Sequence, residues 1–348
     1  MKCTGWVRCL TFLFASLAIA GCDGCREPPQ SMTEPVRSTQ APAAEPPAST
    51  PPAPVASAPV DPVVQVKLLE PGEEPRQSLR YRFHADRPET VWMDLQMAMG
   101  MEVGASKQPE TQTPGMRMAM RLTPKEISKE GRMRYDFRIE SIEVLRDPLA
   151  RPDMVAAVEQ QTRPLVGLSG SAEVDPRGMT HAVQFVPLAG TPNPAFQGLI
   201  DNLRQSIRNI SSPLPEEPVG KGARWEISIP LETPGIKLTQ ISTHSLKEFK
   251  VDKGRIEVAM RQDAPVQPVA FPGMHPGATA NLESLVSAGS GWTDFDLNKL
   301  VPESSVSMAS TMTAKVDEMG TSQQLKVTMR VVLKTTAKAP KPEDAAAP

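Results

Sequence analysis

The residues of this chain with the most distinctive chemistry are its thioethers. Eighteen methionines stand against an aromatic content of only 4%. They cluster as Met93, Met97, Met99 and Met101, and again as Met116, Met118 and Met120. Three uses suit that spacing. Thioethers are soft ligands for Cu(I). Methionine also repacks around varied apolar shapes. A concave surface carrying Met93, Met97, Met99, Met118 and Met120 would then be a pliable groove for an apolar ligand. The third use is core filling in a chain short of aromatic rings. The sequence favours it, because a period of two puts these side chains on one side of a strand.

Catalytic patterns are weak. Gly167-Leu168-Ser169-Gly170-Ser171 has a serine where the G-x-S-x-G elbow needs its last glycine. The histidines (His84, His181, His244, His275) are scattered, and none forms a zinc-like pair. His84 with Asp86 reads as a strand-end pair. Asp294-Phe295-Asp296-Leu297-Asn298 begins like a calcium loop, but Lys299 replaces its glycine and Ser305 its bidentate glutamate. No glycine loop cradles phosphate. Glu216-Glu217 sits in a proline turn and reads as solvated surface. The expectation is a protein that is not an enzyme, with no catalytic residue, no metal and no cofactor. Catalytic groups distant in sequence leave no motif, so a pocket joining acids to His84 or His181 would revive an enzyme reading.

The first residues give an address. Lys2 and Arg8 precede the apolar run from Cys9 to Ala20, and Ile19-Ala20-Gly21-Cys22 closes it with small residues before a cysteine. A membrane span needs about 20 apolar residues. This run is shorter and is followed at once by Asp23 and Arg26. The segment resembles the lipobox of a bacterial lipoprotein signal peptide. That resemblance implies acylation at Cys22, which becomes the mature N-terminus; ordinary signal-peptide cleavage is the competing reading. One acyl chain holds a protein only marginally, at about 0.8 kcal/mol per buried methylene. A cysteine carrying several chains is anchored for good. The expected location is the cell membrane or outer membrane, with the body facing the periplasm or the exterior. Inner and outer membrane stay open.

The chain has 348 residues and a formal net charge of −2, with both signs interspersed. No basic patch suggests nucleic acid. The reading divides the chain into a signal peptide (1–21), a lipidated cysteine with a Pro/Ala-rich disordered tether (22–65), a β-rich domain (66–338) and a disordered tail (339–348). The tether has almost no large apolar side chains to offset its ordering entropy. Its prolines favour polyproline II, and about 40 residues reach on the order of 100 Å. It reads as a spacer, with a proline-motif ligand as the alternative. Cys3 and Cys9 lie in the leader and Cys22 takes the lipid, so Cys25 remains. It is either an incidental thiol or an interchain partner.

The body alternates. Val91 to Val103 keeps its apolar residues at odd positions; Met116 to Leu122, then Met133 to Ile139, repeat the rule. The phase flips at Ile142 and Val144, which predicts a bulge near Glu140-Ser141. Trp225 to Leu231, Ile256 to Met260, and Leu325 to Leu333 continue the pattern. Gly131, Gly178, Gly254 and Gly320 are placed in hairpin turns. Three helices are predicted. The strongest spans about 194–211, capped by Asn193-Pro194, with Phe196, Leu199, Ile200, Leu203, Ile207 and Ile210 on one side. A weaker one covers 152–162, and a short one 281–287. The fold class is mainly β (β-rich α+β): a large curved antiparallel sheet or half-barrel packed on the helix at 194–211. Lying on a membrane is the alternative use of that helix.

Leu214-Pro215-Glu216-Glu217-Pro218-Val219-Gly220-Lys221-Gly222-Ala223-Arg224-Trp225 resembles the P-x-x-P-V-x-x-G-x-x-W segment of a family of uncharacterised bacterial lipoproteins. Gly291-Trp292-Thr293-Asp294-Phe295-Asp296-Leu297 with Val301-Pro302 is similar to a second segment of it. The likeness spans roughly residues 78–336, and the family carries no assigned activity to transfer. Trp225 reads as a buried strand opener, with ligand binding as the alternative. The functional expectation is a membrane-anchored envelope lipoprotein with a binding or scaffolding role. Its partners would be the membrane through Cys22 and an envelope protein or hydrophobic ligand. The alternatives are a carrier or receptor for a lipid-like ligand, then a Cu(I) binder or an enzyme without a motif.

Overall fold

The computed structural model describes residues 64–145, 151–186, 194–233, 235–270, 274, 277–318 and 320–339. The expectations for the leader, Cys22, Cys25, the tether, His275, Asn193 and the tail lie outside these residues. The described chain is one sheet with few helices. Its strands are β1 (Gln65–Glu70), β2 (Glu89–Val103), β3 (Ser106–Gln112), β4 (Gly115–Ile127), β5 (Met133–Leu145), β6 (Ser169–Val174) and β7 (Thr180–Phe185). After them come β8 (Arg224–Thr233), β9 (Ile236–Lys250), β10 (Lys253–Asp263), β11 (Gln267–Val269), β12 (Thr279–Asp296), β13 (Glu303–Glu318) and β14 (Thr321–Thr336). Helix α1 (Pro152–Thr162) follows β5, and helix α2 (Pro194–Arg208) lies between β7 and β8.

The strands run in the order β1-β8-β9-β10-β12-β13-β14-β2-β4-β5-β6-β7, with β3 against β2 and β11 against β12. Every pairing is antiparallel. The end strands β1 and β7 do not pair with each other, so the sheet is open. The central strands are long, and β12 to β14 each exceed the usual five or six residues threefold or nearly so. Alternation is what holds them. On β5, Met133, Tyr135, Phe137 and Ile139 are buried while Arg134 and Arg138 face out. The expected phase change is a bulge: Ala119 pairs Ser141 and Met120 pairs Ile139, which leaves Glu140 as the extra residue.

One face of the sheet carries three apolar clusters. Under α2, Ile200, Leu203, Ile207 and Ile210 pack with Val91, Met120, Tyr135, Phe137 and Ile139. The amphipathic face of α2 thus meets the sheet, as its spacing predicts. Full burial contributes about 1.5–3 kcal/mol for each such side chain. The second cluster surrounds Trp225, with Tyr81, Leu214, Leu246, Ile256 and Phe295. The third joins Met101 of β2 to Leu238 of β9 through Leu282, Met312 and Val327. Among the described residues no helix joins this last cluster, which side chains of β2, β9 and β11 to β14 form among themselves. No helix among the described residues is long and apolar enough to cross a membrane.

Two expectations are corrected. Residues 281–287 are strand, within β12, and not a short helix. The register shifts between Leu282 and Ser284, so Glu283 is a bulge residue. The bulge returns Leu285 to the face of Leu282, and the resulting i, i+3 spacing imitates a helix. Gly254 is not a turn residue either. The β9–β10 turn is Val251-Asp252, with Val251 at φ 57°. Gly254 lies inside β10, where a Cβ would sit 2.6 Å from the Phe295 ring. Gly131, Gly178 and Gly320 do hold turns at positive φ.

Candidate functional site

The inner face does not fill completely between α2 and the middle of the sheet. Register places side chains in rows across the strands. One row reads Leu95, Leu333, Val306, Gly291, Val258, His244 and Trp225, from β2 to β8. The next reads Met97, Val331, Met308, Gly289, Met260, Ser242 and Ile227. These rows floor a groove of about 370 Å³. That volume lies within the range of small-molecule sites, roughly 300–1,000 Å³. Its apolar lining is Met93, Ile227, Ile229, Val258, Met260, Val306, Met308, Val331 and Leu333, with Ile210 just past the end of α2. Leu333 is 37% exposed, an open leucine inside a concavity. Gly291 keeps the floor low: a Cβ there would lie 2.3 Å from the Ser305 carbonyl oxygen on β13.

The rim and one end are polar but uncharged. Helix α2 and the segment after it supply Gln205, Ser206, Asn209, Ser211, Ser212 and Pro213. The sheet adds Gln240, Ser242, His244, Thr293, Ser304 and Thr335. Among the described residues that line the groove, none carries Asp, Glu, Lys or Arg. The 211–214 segment is fixed from several sides. Ser211 Oγ donates to the Gly178 carbonyl at 2.6 Å, Tyr81 Oη to the Ser212 carbonyl at 3.2 Å, and Trp225 Nε1 to the Pro213 carbonyl at 3.1 Å. Trp225 also stacks on His244, with centroids 5.5 Å apart. Burial pushes the His244 imidazole down to about 4, so it is neutral at pH 7. Its Nδ1 and the Ser212 Oγ are buried without a hydrogen-bond partner. Such atoms are uncommon in folded proteins and mark strain, function or an unseen partner.

Of the methionines named from sequence, Met93 lines the groove. Met120 is fully buried beneath α2, and Met118, opposite Met93 in register, packs against the same cluster. Met99 packs on the third cluster, and Met97 is half-buried opposite Val331. Sequence reasoning missed His244, Ser212 and the apolar side chains of β10, β13 and β14. The signal for Val306 and Met308 was plain alternation with Ser305, Ser307 and Ala309. His244 gave none, because its neighbours Trp225 and Val258 come from other strands.

The other candidates separate. Ser169, Gly170 and Ser171 lie in β6, not at a strand-to-helix elbow. His181 pairs with Asp175 at 3.3 Å beside the β6–β7 turn, away from the groove. Asp175 also accepts from the Arg177 and Met179 amides, and these bonds outweigh its partial burial and hold its carboxyl below the usual range. Asp294 accepts two bonds of 2.6 Å from Arg255, and Asp296 accepts from the Asn298 amide, so both are structural. Among the described residues no group of three His, Cys, Asp or Glu could hold a metal ion. Wider depressions of about 520 and 660 Å³ are lined by charged side chains such as Arg121, Arg134 and Asp136, or Glu248, Lys253 and Asp296. No protein-family model matches the chain, and no curated protein matches its sequence.

Proposed function

We propose that this protein is an envelope lipoprotein that holds a lipid-like apolar ligand between α2 and the open sheet, without catalysing a reaction. The observation that carries this reading is the groove itself: about 370 Å³ between α2 and apolar side chains of β10, β13 and β14, of which Leu333 is 37% exposed. A scaffold has no need of that concavity, and a mostly apolar cleft with a few polar groups is the usual form of a small-molecule site. The leader pattern ending at Cys22 supports the anchored setting. The interspersed charge speaks against nucleic acid as a partner.

One preparation tests both halves. Protein extracted from membranes incorporates radiolabelled palmitate at Cys22, and native mass spectrometry finds one noncovalent apolar molecule per chain. Cys22→Ser removes the label and the membrane attachment while the bound molecule persists. A chain that repeatedly flies empty contradicts the carrier role; a Cys22→Ser variant that stays fixed to membranes contradicts the anchor.

A further inference from the structure

We propose that the outer face of the sheet binds a phosphate group between Arg121 and Arg138, either free in solution or on the head of a lipid. The site is separate from the groove and does not depend on the carrier reading. Arg121 of β4 and Arg138 of β5 are direct partners in register. Both are exposed, while their neighbours Leu122, Phe137 and Ile139 point into the core. Like charges set directly opposite each other across two strands are destabilising. Three other arginines of the sheet meet acids in register instead. Arg224 bonds Glu70 at 2.8 Å, Arg117 bonds Asp94 at 2.7 Å and Arg255 bonds Asp294 at 2.6 Å. Among the described residues neither Arg121 nor Arg138 has an acidic partner.

The surroundings suit an anion. The row that holds the two arginines runs Thr90, Arg121, Arg138 and Ser169, without an acid. The next row is Thr123, Asp136, Ser171 and Gln184, and its one carboxylate is already paired with Lys125 at 3.2 Å. With Arg134 these side chains line a depression of about 520 Å³ that has three guanidinium groups against one carboxylate. That volume is in the range of small-molecule sites, roughly 300–1,000 Å³. A guanidinium presents a planar fork of donors that fits pairs of phosphate oxygens. The hydroxyls of Thr123, Ser169 and Ser171 supply further single donors. A carboxylate would offset only one of the opposed arginines. A phosphate monoester, with a charge of about −1.5 to −2 at pH 7, offsets both.

The test uses the full-length chain carrying Cys22→Ser at pH 7.5 and about 0.1 M salt, where charges more than about 10 Å apart are largely screened. Pyrophosphate is titrated by calorimetry, and flotation is followed with phosphatidylcholine vesicles with and without phosphatidic acid. Saturable binding of one pyrophosphate per chain alone assigns a soluble phosphate. Flotation that requires phosphatidic acid alone assigns a lipid head, and both signals together assign a site open to either. In the Arg121→Gln/Arg138→Gln variant the affinity falls at least tenfold. Arg138→Lys, which keeps the charge and loses the fork, lowers it by a factor of about three to five. Arg330→Gln, whose arginine is paired with Glu110 on the same sheet, changes it less than about twofold. Without ligand the double glutamine variant melts at or above the temperature of the parent, because a repulsion is gone. Binding of neither probe, or an equal loss in Arg330→Gln and the double variant, overturns the site. A double variant less stable than the parent contradicts the unpaired, opposed arginines on which the site is built.

Discussion

Lowering the pH from 6.5 to 4 removes about 3 kcal/mol of folding stability from the ligand-free protein, and His244→Phe abolishes most of that loss. Proton linkage sets the size of the loss. His244 has a folded pKa near 4 because burial penalises the imidazolium, against 6.5 in an open chain. At pH above 6.5 neither state is protonated there, and the stability is fully present. Between 6.5 and 4 the unfolded chain takes a proton that the folded chain refuses, at about 1.4 kcal/mol per pH unit. Below 4 both states are charged and the slope ends. Phenylalanine keeps a ring for Trp225 to stack on and has no proton to gain. It also removes the orphaned Nδ1, so the variant matches or slightly exceeds the parent at pH 7. Urea unfolding of both proteins at pH 7, 5.5 and 4 measures the difference. Parallel curves for the two would show that His244 is not held neutral by burial.

A second large effect is expected on the opposite face of the same sheet. Arg117 of β4 is 5% exposed and donates two hydrogen bonds of 2.7 Å to Asp94 of β2. The pair faces away from the Met93–Met118 row. Arg117→Ala leaves a largely buried carboxylate without its fork, which costs about 3 kcal/mol. Arg117→Met with Asp94→Leu removes both charges and replaces them with apolar volume, and recovers most of that loss. Urea midpoints of the parent, the single and the double variant give the result. If Arg117→Ala and the double variant lose equally, the loss comes from packing and not from the stranded charge.

The sequence carried much of this architecture because alternation is a local signal. Methionines 116, 118 and 120 announce a strand without any knowledge of their partners, and the change of phase at Ile142 locates a bulge by itself. The amphipathic face of α2 is as plain. Where two local signals coincide, the reading failed. Leu282 and Leu285 share a face at helical spacing only because Glu283 bulges out of β12, while the neighbouring Val286 is exposed. Gly254 resembles a turn glycine, yet its reason is the Phe295 ring across the pair. The groove was less legible still. Its floor takes a few residues from each of seven strands spread over β2 to β14, each of which alternates like any core strand. Whether an inward methionine is covered depends on what lies above it. Met120 has α2; Met308 and Val331 face the groove. The setting of Ser212 is equally silent in sequence, because its surroundings come from distant chain: Tyr81, 131 residues away, donates to its carbonyl.

The carrier claim is tested most directly by filling the groove from its floor. Met308→Trp places an indole among Val306, Val331 and Leu333, where the structure has open space, while Met120→Leu alters the closed core under α2 by a near-isosteric swap. In a Nile red titration the parent and Met120→Leu show saturable one-to-one binding with blue-shifted emission, and Met308→Trp lowers the affinity at least tenfold with its far-UV spectrum unchanged. Equal binding by a folded Met308→Trp variant would contradict the assignment of this groove as the ligand site.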